Sequence, residues 1–334
     1  MQGEKTMGRS TAGKLLNFAV KYGVYLILLL VIIYFGSVSS TFLTLSNAMN
    51  VLQQAAPLGI AVIGMIFVLS TASTDISAGQ VMYVTGVICG VVLEHYRNLG
   101  TANTVQALLM VWLVGLSVGA AFGALNGLLV AKFNIVPFIA TLATMNIAKG
   151  LGLIISKSKV YYMTELSPLA QSTVGSIKFP VVVIIQMVMV LIFAFVYHRT
   201  QFGRHILAVG NDEAAAKSVG INTVRVKFLA FLLCGITSSI AALLLAGQIA
   251  NVYSSFSYGN EFTVICGAVL GGTSLSGGKG NIIPGALVGI VLIQTNMNGL
   301  TMLNASPYSY TIVKGVIIFI AVLLDSVNYK GELR

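Results

Sequence analysis

Apolar runs of close to twenty residues recur along this chain, near 22–39, 50–71, 78–93, 105–130, 136–155, 180–198, 225–247, 262–272, 282–298 and 311–325. No other feature restricts its fold so severely. A bilayer core of about 30 Å takes about twenty helical residues to cross, and a helix satisfies every backbone polar group within its own span. The expectation is an all-α polytopic membrane protein of about ten transmembrane helices. The eighth run is short and glycine-rich, which predicts a broken or partly inserted helix. Composition agrees: 57% of the residues are hydrophobic, 8% are charged and the mean hydropathy is +0.92, against about a quarter charged in a soluble domain. The expected divisions are a cytosolic tail at 1–21, a single transmembrane domain at 22–325 and a second tail at 326–334.

The net charge of +10 would suit nucleic acid, but its placement argues for orientation in a bilayer instead. With the N-terminus inside, Lys5, Arg9, Lys14, Lys21, Lys132, Arg199, Arg204, Lys217, Arg225, Lys227, Lys279, Lys330 and Arg334 fall in the cytosol. Arg97, Lys157, Lys159 and Lys178 fall outside. This asymmetry predicts both termini inside, in the plasma membrane, with the lipid bilayer and no nucleic acid as partner. The first run follows four basic residues as a secretory signal does, but its length and the nine runs after it favour a retained span. Cys89, Cys234 and Cys266 stand singly in apolar runs, so packing is their expected role.

A short element recurs. Ile76-Ser77-Ala78-Gly79 returns as Leu275-Ser276-Gly277-Gly278, and at the same offset Gly86 and Gly90 match Gly285 and Gly289. The expectation is an internal parallel repeat: two hairpins of small polar residues opening on one face. Irregular backbone at membrane depth is tolerated only where protein buries it or where it lines a watery cavity. Each hairpin is therefore either pathway lining or an ordinary cytosolic turn.

The chemistry that is absent narrows the function. Gly277-Gly278-Lys279-Gly280 lacks the Ser or Thr after the lysine and the earlier glycine of a phosphate loop, so the chain has no ATP site of that kind. The acids fall in loops, tails or span ends, with Asp75, Glu261 and Asp325 at the ends, which weakens an ion-coupled reading. Lys149 and Lys314 lie in or beside spans and either snorkel or pair with Glu261 at an outer gate. His95, His198 and His205 are expected in loops, and neither a zincin nor a serine-hydrolase motif occurs, so no catalytic or metal site is expected. Neutral amides remain for a pathway: Gln53, Gln54, Asn126, Asn146, Gln248, Gln294, Asn296 and Asn298. Such groups suit a neutral polyhydroxylated solute, though structural bonds between helices use the same side chains. With the first hairpin, the expected pathway set is Asp75, Ser77, Gly79, Asn126, Asn146, Gln294, Asn296 and Asn298.

Residues 199–225 form a charged island in this apolar chain. Asn211 or Asp212 can cap a helix, Asp212 and Glu213 suit its positive end, and Gly220 can close it in the left-handed conformation. A helix of about two turns is marginal alone in water and needs a surface to dock on. Glu213-Ala214-Ala215, with Gly220 seven residues after Glu213, resembles the Glu-Ala-Ala loop of ATP-binding-cassette importer permeases. Gly203-Arg204-His205-Ile206 through Gly220-Ile221, the stretch 269–280, and Ser306-Pro307-Tyr308 through Val313-Lys314-Gly315 resemble the ribose-type sugar-importer permeases. Thr74-Asp75-Ile76-Ser77-Ala78-Gly79 is similar to that family's Asp-Leu-Ser-Val-Gly segment, with Ile76 and Ala78 as departures.

The resemblance covers about residues 45–325 and implies a non-catalytic membrane subunit. It implies a second permease copy or a paralogue, cytosolic ATPase subunits that bind ATP and Mg, and an external solute-binding protein. Gly203, Arg204, Asp212, Glu213, Ala214, Ala215 and Gly220 would then form the ATPase contact. A monosaccharide is the implied cargo, a nucleoside or autoinducer the alternative of the same architecture, and an ion-coupled secondary transporter a rival of another class.

Overall fold

The computed structural model describes residues 11–332 as a helical bundle. Its helices are α1 (Thr11–Val38), α2 (Leu45–Leu69), α3 (Ala78–Asn98), α4 (Val105–Gly127), α5 (Pro137–Ser156), α6 (Ser167–Gln171), α7 (Val181–Arg199), α8 (Gln201–Asn211), α9 (Glu213–Ser218), α10 (Thr223–Ile249), α11 (Asn260–Leu270), α12 (Ile290–Met302) and α13 (Pro307–Glu332). A π-helical turn at Leu128–Lys132 extends α4, and another at Pro284–Gly289 leads into α12. Two-residue antiparallel strands pair Tyr161–Tyr162 with Asn251–Val252, and Thr173–Val174 with Phe179–Pro180. They tie down the loops between α5 and α7.

Among the described residues, six helices are long and apolar enough to cross a membrane: α2, α3, α4 with its π turn, α5, α7 and α10. The remaining expected runs are also helical. Apolar stretches at Gly23–Val38, Asn260–Leu270 and Tyr308–Ile320 lie in α1, α11 and α13, and the run at 282–298 is shared between a π turn and α12. The expected tail boundaries fall inside α1 and α13. His95 and His198 prove to sit in the last turns of α3 and α7, and His205 lies within α8, so none is a loop residue.

α2 forms the centre of the core. Its residues from Ala55 to Leu69 are buried on every side, as an all-apolar helix surrounded by others must be. Pro57 interrupts it. A proline has no N–H to return to the carbonyl four residues earlier, and here Gln248 of α10 donates to that freed Gln53 carbonyl at 2.5 Å. A π turn loosens carbonyls in the same way, and the Ala286 carbonyl accepts from Gln186 of α7 at 2.6 Å.

Glycines set the closest helix contact. Gly115, Gly119, Gly123 and Gly127 recur every four residues along α4 and are all buried. A Cβ at Gly119 would collide with the Gly235 carbonyl of α10, and one at Gly123 would lie 2.6 Å from the Phe231 carbonyl. Backbone therefore rests on backbone, the arrangement small residues permit between membrane helices.

Candidate functional site: a docking platform keyed to two hairpins

α8 and α9 stand where the charged island was read. Thr200 caps α8, its hydroxyl accepting from Gly203 N at 3.5 Å, and the helix buries Gly203, Ile206, Val209 and Gly210 while Gln201, Arg204 and Asn211 face outward. Asp212 caps α9, accepting from Ala215 N at 2.9 Å. Gly220 turns the chain at φ +87°, a region costly for any residue with a Cβ. α9 has six residues and buries Ala216 beneath it, leaving Asp212, Glu213, Ala214, Ala215, Lys217 and Gly220 exposed. Glu213 pairs with Lys227 of α10, which anchors α9 to a long span. A groove of about 580 Å³ between α8 and the start of α10 is lined by Gln201, Phe202, His205, Val219, Ile221 and Arg225.

The inner edge of this platform meets the end of α2 and the second hairpin. Gly278 N donates to the Ser70 carbonyl at 3.1 Å, which joins the second hairpin loop to the end of α2. Gly210, at the end of α8, lies against both: a Cβ there would overlap the Ser70 carbonyl and sit 2.5 Å from Gly278 N. A Cβ at Gly277 would sit 2.7 Å from the Gly210 carbonyl. Gly277 and Gly278 have φ of +85° and +69°. The Ser70 hydroxyl and the Tyr197 hydroxyl of α7 share a hydrogen bond of 2.6 Å. The glycines that superficially look like a phosphate loop are thus explained by close backbone approach.

From Ser73 to Ser77 the first hairpin has no regular secondary structure. It carries Asp75 inward to the level of Cys234, near the middle of α10, so an acid read at a span end is held inside the bundle. Burying a carboxylate is costly unless hydrogen bonds surround it. Asp75, 2% exposed, accepts from Ser77 N at 2.8 Å, from the Ser77 hydroxyl at 2.6 Å and from the Cys234 thiol. Asn126 of α4 donates to the Ser77 hydroxyl at 2.8 Å and accepts from Thr144 of α5 at 2.6 Å. Thr141 holds Ile76 N at 3.2 Å. Asp75, Ser77 and Asn126 are therefore brought together, as a buried clasp joining the loop to α4, α5 and α10. Gly79 stands beside it under Glu261, whose carboxylate a Cβ would strike.

The amides at the other end divide. Asn298 of α12 makes a reciprocal pair with Asn47 of α2, both bonds at 3.0 Å, and Gln294 donates to Gln54 at 2.6 Å, so one seam between α2 and α12 carries both. Asn296 bonds to the Leu292 carbonyl of its own helix, and Asn146 is exposed on α5 with its amide on the Leu142 carbonyl. Neither joins the group. Sequence reasoning passed over Thr141, Thr144, Gln186 and Tyr197. The four-residue glycine period of α4 was the one available signal nearby, and it pointed only to close packing of that helix.

Residues 47–322 match the family described as branched-chain amino acid transport system / permease component. The chain belongs to this permease family. The permease is 33% identical over 303 residues to the ribose import permease protein RbsC of Escherichia coli (strain K12), covering 90% of this chain and 91% of that one. It is 31% identical over 332 residues to the galactose/methyl galactoside import permease protein MglC of the same strain, covering 95% and 97%. It is 32% identical over 312 residues to that strain's L-arabinose transport system permease protein AraH, covering 93% and 92%. No solved structure matches this permease. Among the described residues no cluster of His, Cys, Asp and Glu could hold a metal, and the three cysteines are free and buried.

Proposed function

We propose that this permease is the pore-forming subunit of an ATP-binding-cassette importer that moves a monosaccharide such as ribose inward. The observation that carries the reading is the exposed α8–α9 platform whose inner edge, Gly210, is wedged against the end of α2 and the second hairpin. Relatives that import ribose, galactose and arabinose support the choice of cargo. In this reading ATP and Mg are bound by separate cytosolic ATPase subunits docked on Arg204, Glu213 and their neighbours. An external binding protein delivers the solute, and a second permease copy or paralogue completes the pathway.

The proposal includes ten spans, a parallel repeat about the two hairpins, a single permease domain at 22–325 and both termini on the cytosolic face of a bacterial inner membrane. Nucleotide-driven closure of the ATPases displaces α8, and rigid packing passes the displacement to the hairpins. The seam of Gln54, Gln294, Asn47 and Asn298 is the proposed neutral part of the pathway.

Proteoliposomes holding the complete complex test this. ATP-driven uptake of a radiolabelled sugar is expected, and none from this chain alone under an ion gradient. Glu213→Lys sets like charge against Lys227, and Gly220→Val forces a β-branched residue to φ +87°. Both variants should reach the membrane yet lose uptake; normal uptake at normal expression would refute the docking role.

A further inference from the structure

Away from the platform, the helices gather three charged side chains without joining them. Glu261, in the first turn of α11, is 3% exposed, and its Oε2 has no hydrogen-bond partner. Lys314 of α13 and Lys149 of α5 are the cations that act on this carboxylate. Neither forms a salt bridge with it: Lys314 Nζ donates to the Gly259 carbonyl at 3.3 Å, and Lys149 Nζ lies 5.4 Å from the centre of the Tyr258 ring. The carboxylate rests against Gly79, and a Cβ on Gly79 would sit 2.9 Å from Glu261 N. The first turns of α3 and α11 thus converge on one acid.

Backbone N–H groups of Gly259 and Glu261 support this carboxylate, yet its Oε2 has no partner and neither ammonium is bonded to it, so a buried acceptor remains to be completed. A hydroxyl completes it on both sides, donating to the carboxylate and accepting from an ammonium. Tyr258, 70% exposed, adds an aromatic face next to Lys149. We infer that Glu261, Lys314 and Lys149 form a solute site in the translocation pathway that takes a hydroxyl-rich solute. The inference rests on the sugar-permease reading above. Gly79 covers the acid in the present conformation, so the site is filled when α3 and α11 part.

The test uses the complete complex in proteoliposomes, with uptake of radiolabelled ribose, galactose and arabinose and ATP hydrolysis measured on the same vesicles. Glu261→Gln is expected to retain hydrolysis while uptake per ATP falls at least about tenfold, the scale of a lost hydrogen bond to a charged group. The exchange Glu261→Lys with Lys314→Glu should stay as low, because the hydroxyl bridge needs the acid beneath Gly79. Recovery of uptake in the exchanged protein would identify a structural ion pair and overturn the inference, as would unimpaired uptake by Glu261→Gln. Should that variant fail to reach the membrane, Glu261→Asp keeps the charge and is expected to alter the preference among the three sugars; an unchanged preference overturns the inference. If the unaltered complex takes up none of the sugars, the sugar reading itself fails. If it takes one up and the Glu261 variants behave like it, only the solute site fails.

Discussion

Asn126 shows how one side chain can hold an irregular loop inside a membrane bundle. It donates to Ser77 and accepts from Thr144, and Ser77 in turn donates twice to Asp75. Replacing Asn126 by Leu leaves Ser77 and Thr144 short of a partner in a buried setting, where a lost bond costs about 1–3 kcal/mol. The expected outcome is a lowered midpoint of thermal unfolding in detergent, with Ser77→Ala lowering it as well; an unchanged midpoint for both would count against the clasp. Asn126 was legible as a buried polar residue, but its partners were not. Asp75 and Cys234 are 159 positions apart in the chain, and no local pattern relates them.

At the scale of elements, α4 and α10 are set by glycine. Gly119→Val places a branched side chain where the Gly235 carbonyl already lies, and overpacking of this kind costs about 1–3 kcal/mol or more. Reduced yield of folded protein and a lower unfolding midpoint are expected, and a wild-type midpoint would show that the helices separate easily. Gly150→Val is the matched control, since nothing lies within 4 Å of a Cβ there. The ion pairs of the loops contribute far less. Arg97 meets Glu165 at 2.6 Å and Lys159 meets Glu94, and the hydrogen bond from Lys159 to Glu94 holds its ammonium above the ordinary lysine range. The exposed pair of Lys159 and Glu94 is screened by solvent and contributes little, so Glu94→Gln should leave the unfolding midpoint within the scatter of the measurement. Helix existence was readable from the apolar runs, whereas helix ends were not: α8 looked like loop because its charged residues share a face with solvent while Ile206 and Val209 hide beneath.

For the whole molecule, the main consequence is mechanical. Ser70, Gly210 and Gly278 put the ends of α2, α8 and the second hairpin in one backbone contact. Gly210→Val should therefore leave ATPase subunits bound while uptake per ATP hydrolysed drops, a separation that co-purification and uptake on one preparation would reveal. Loss of ATPase binding in that variant would instead place Gly210 in the docking surface. The sequence by itself determined the membrane environment, the helical class, the glycine spacing and the charged island, because each follows from local composition and the energetics of burying backbone. Only the tertiary structure decided that Asp75 and Glu261 lie inside the bundle, that the end of α2 and the second hairpin touch the end of α8, and that Asn146 and Asn296 stand apart from Asn298. These depend on which distant segments share a depth, and depth is set by the packing of whole helices.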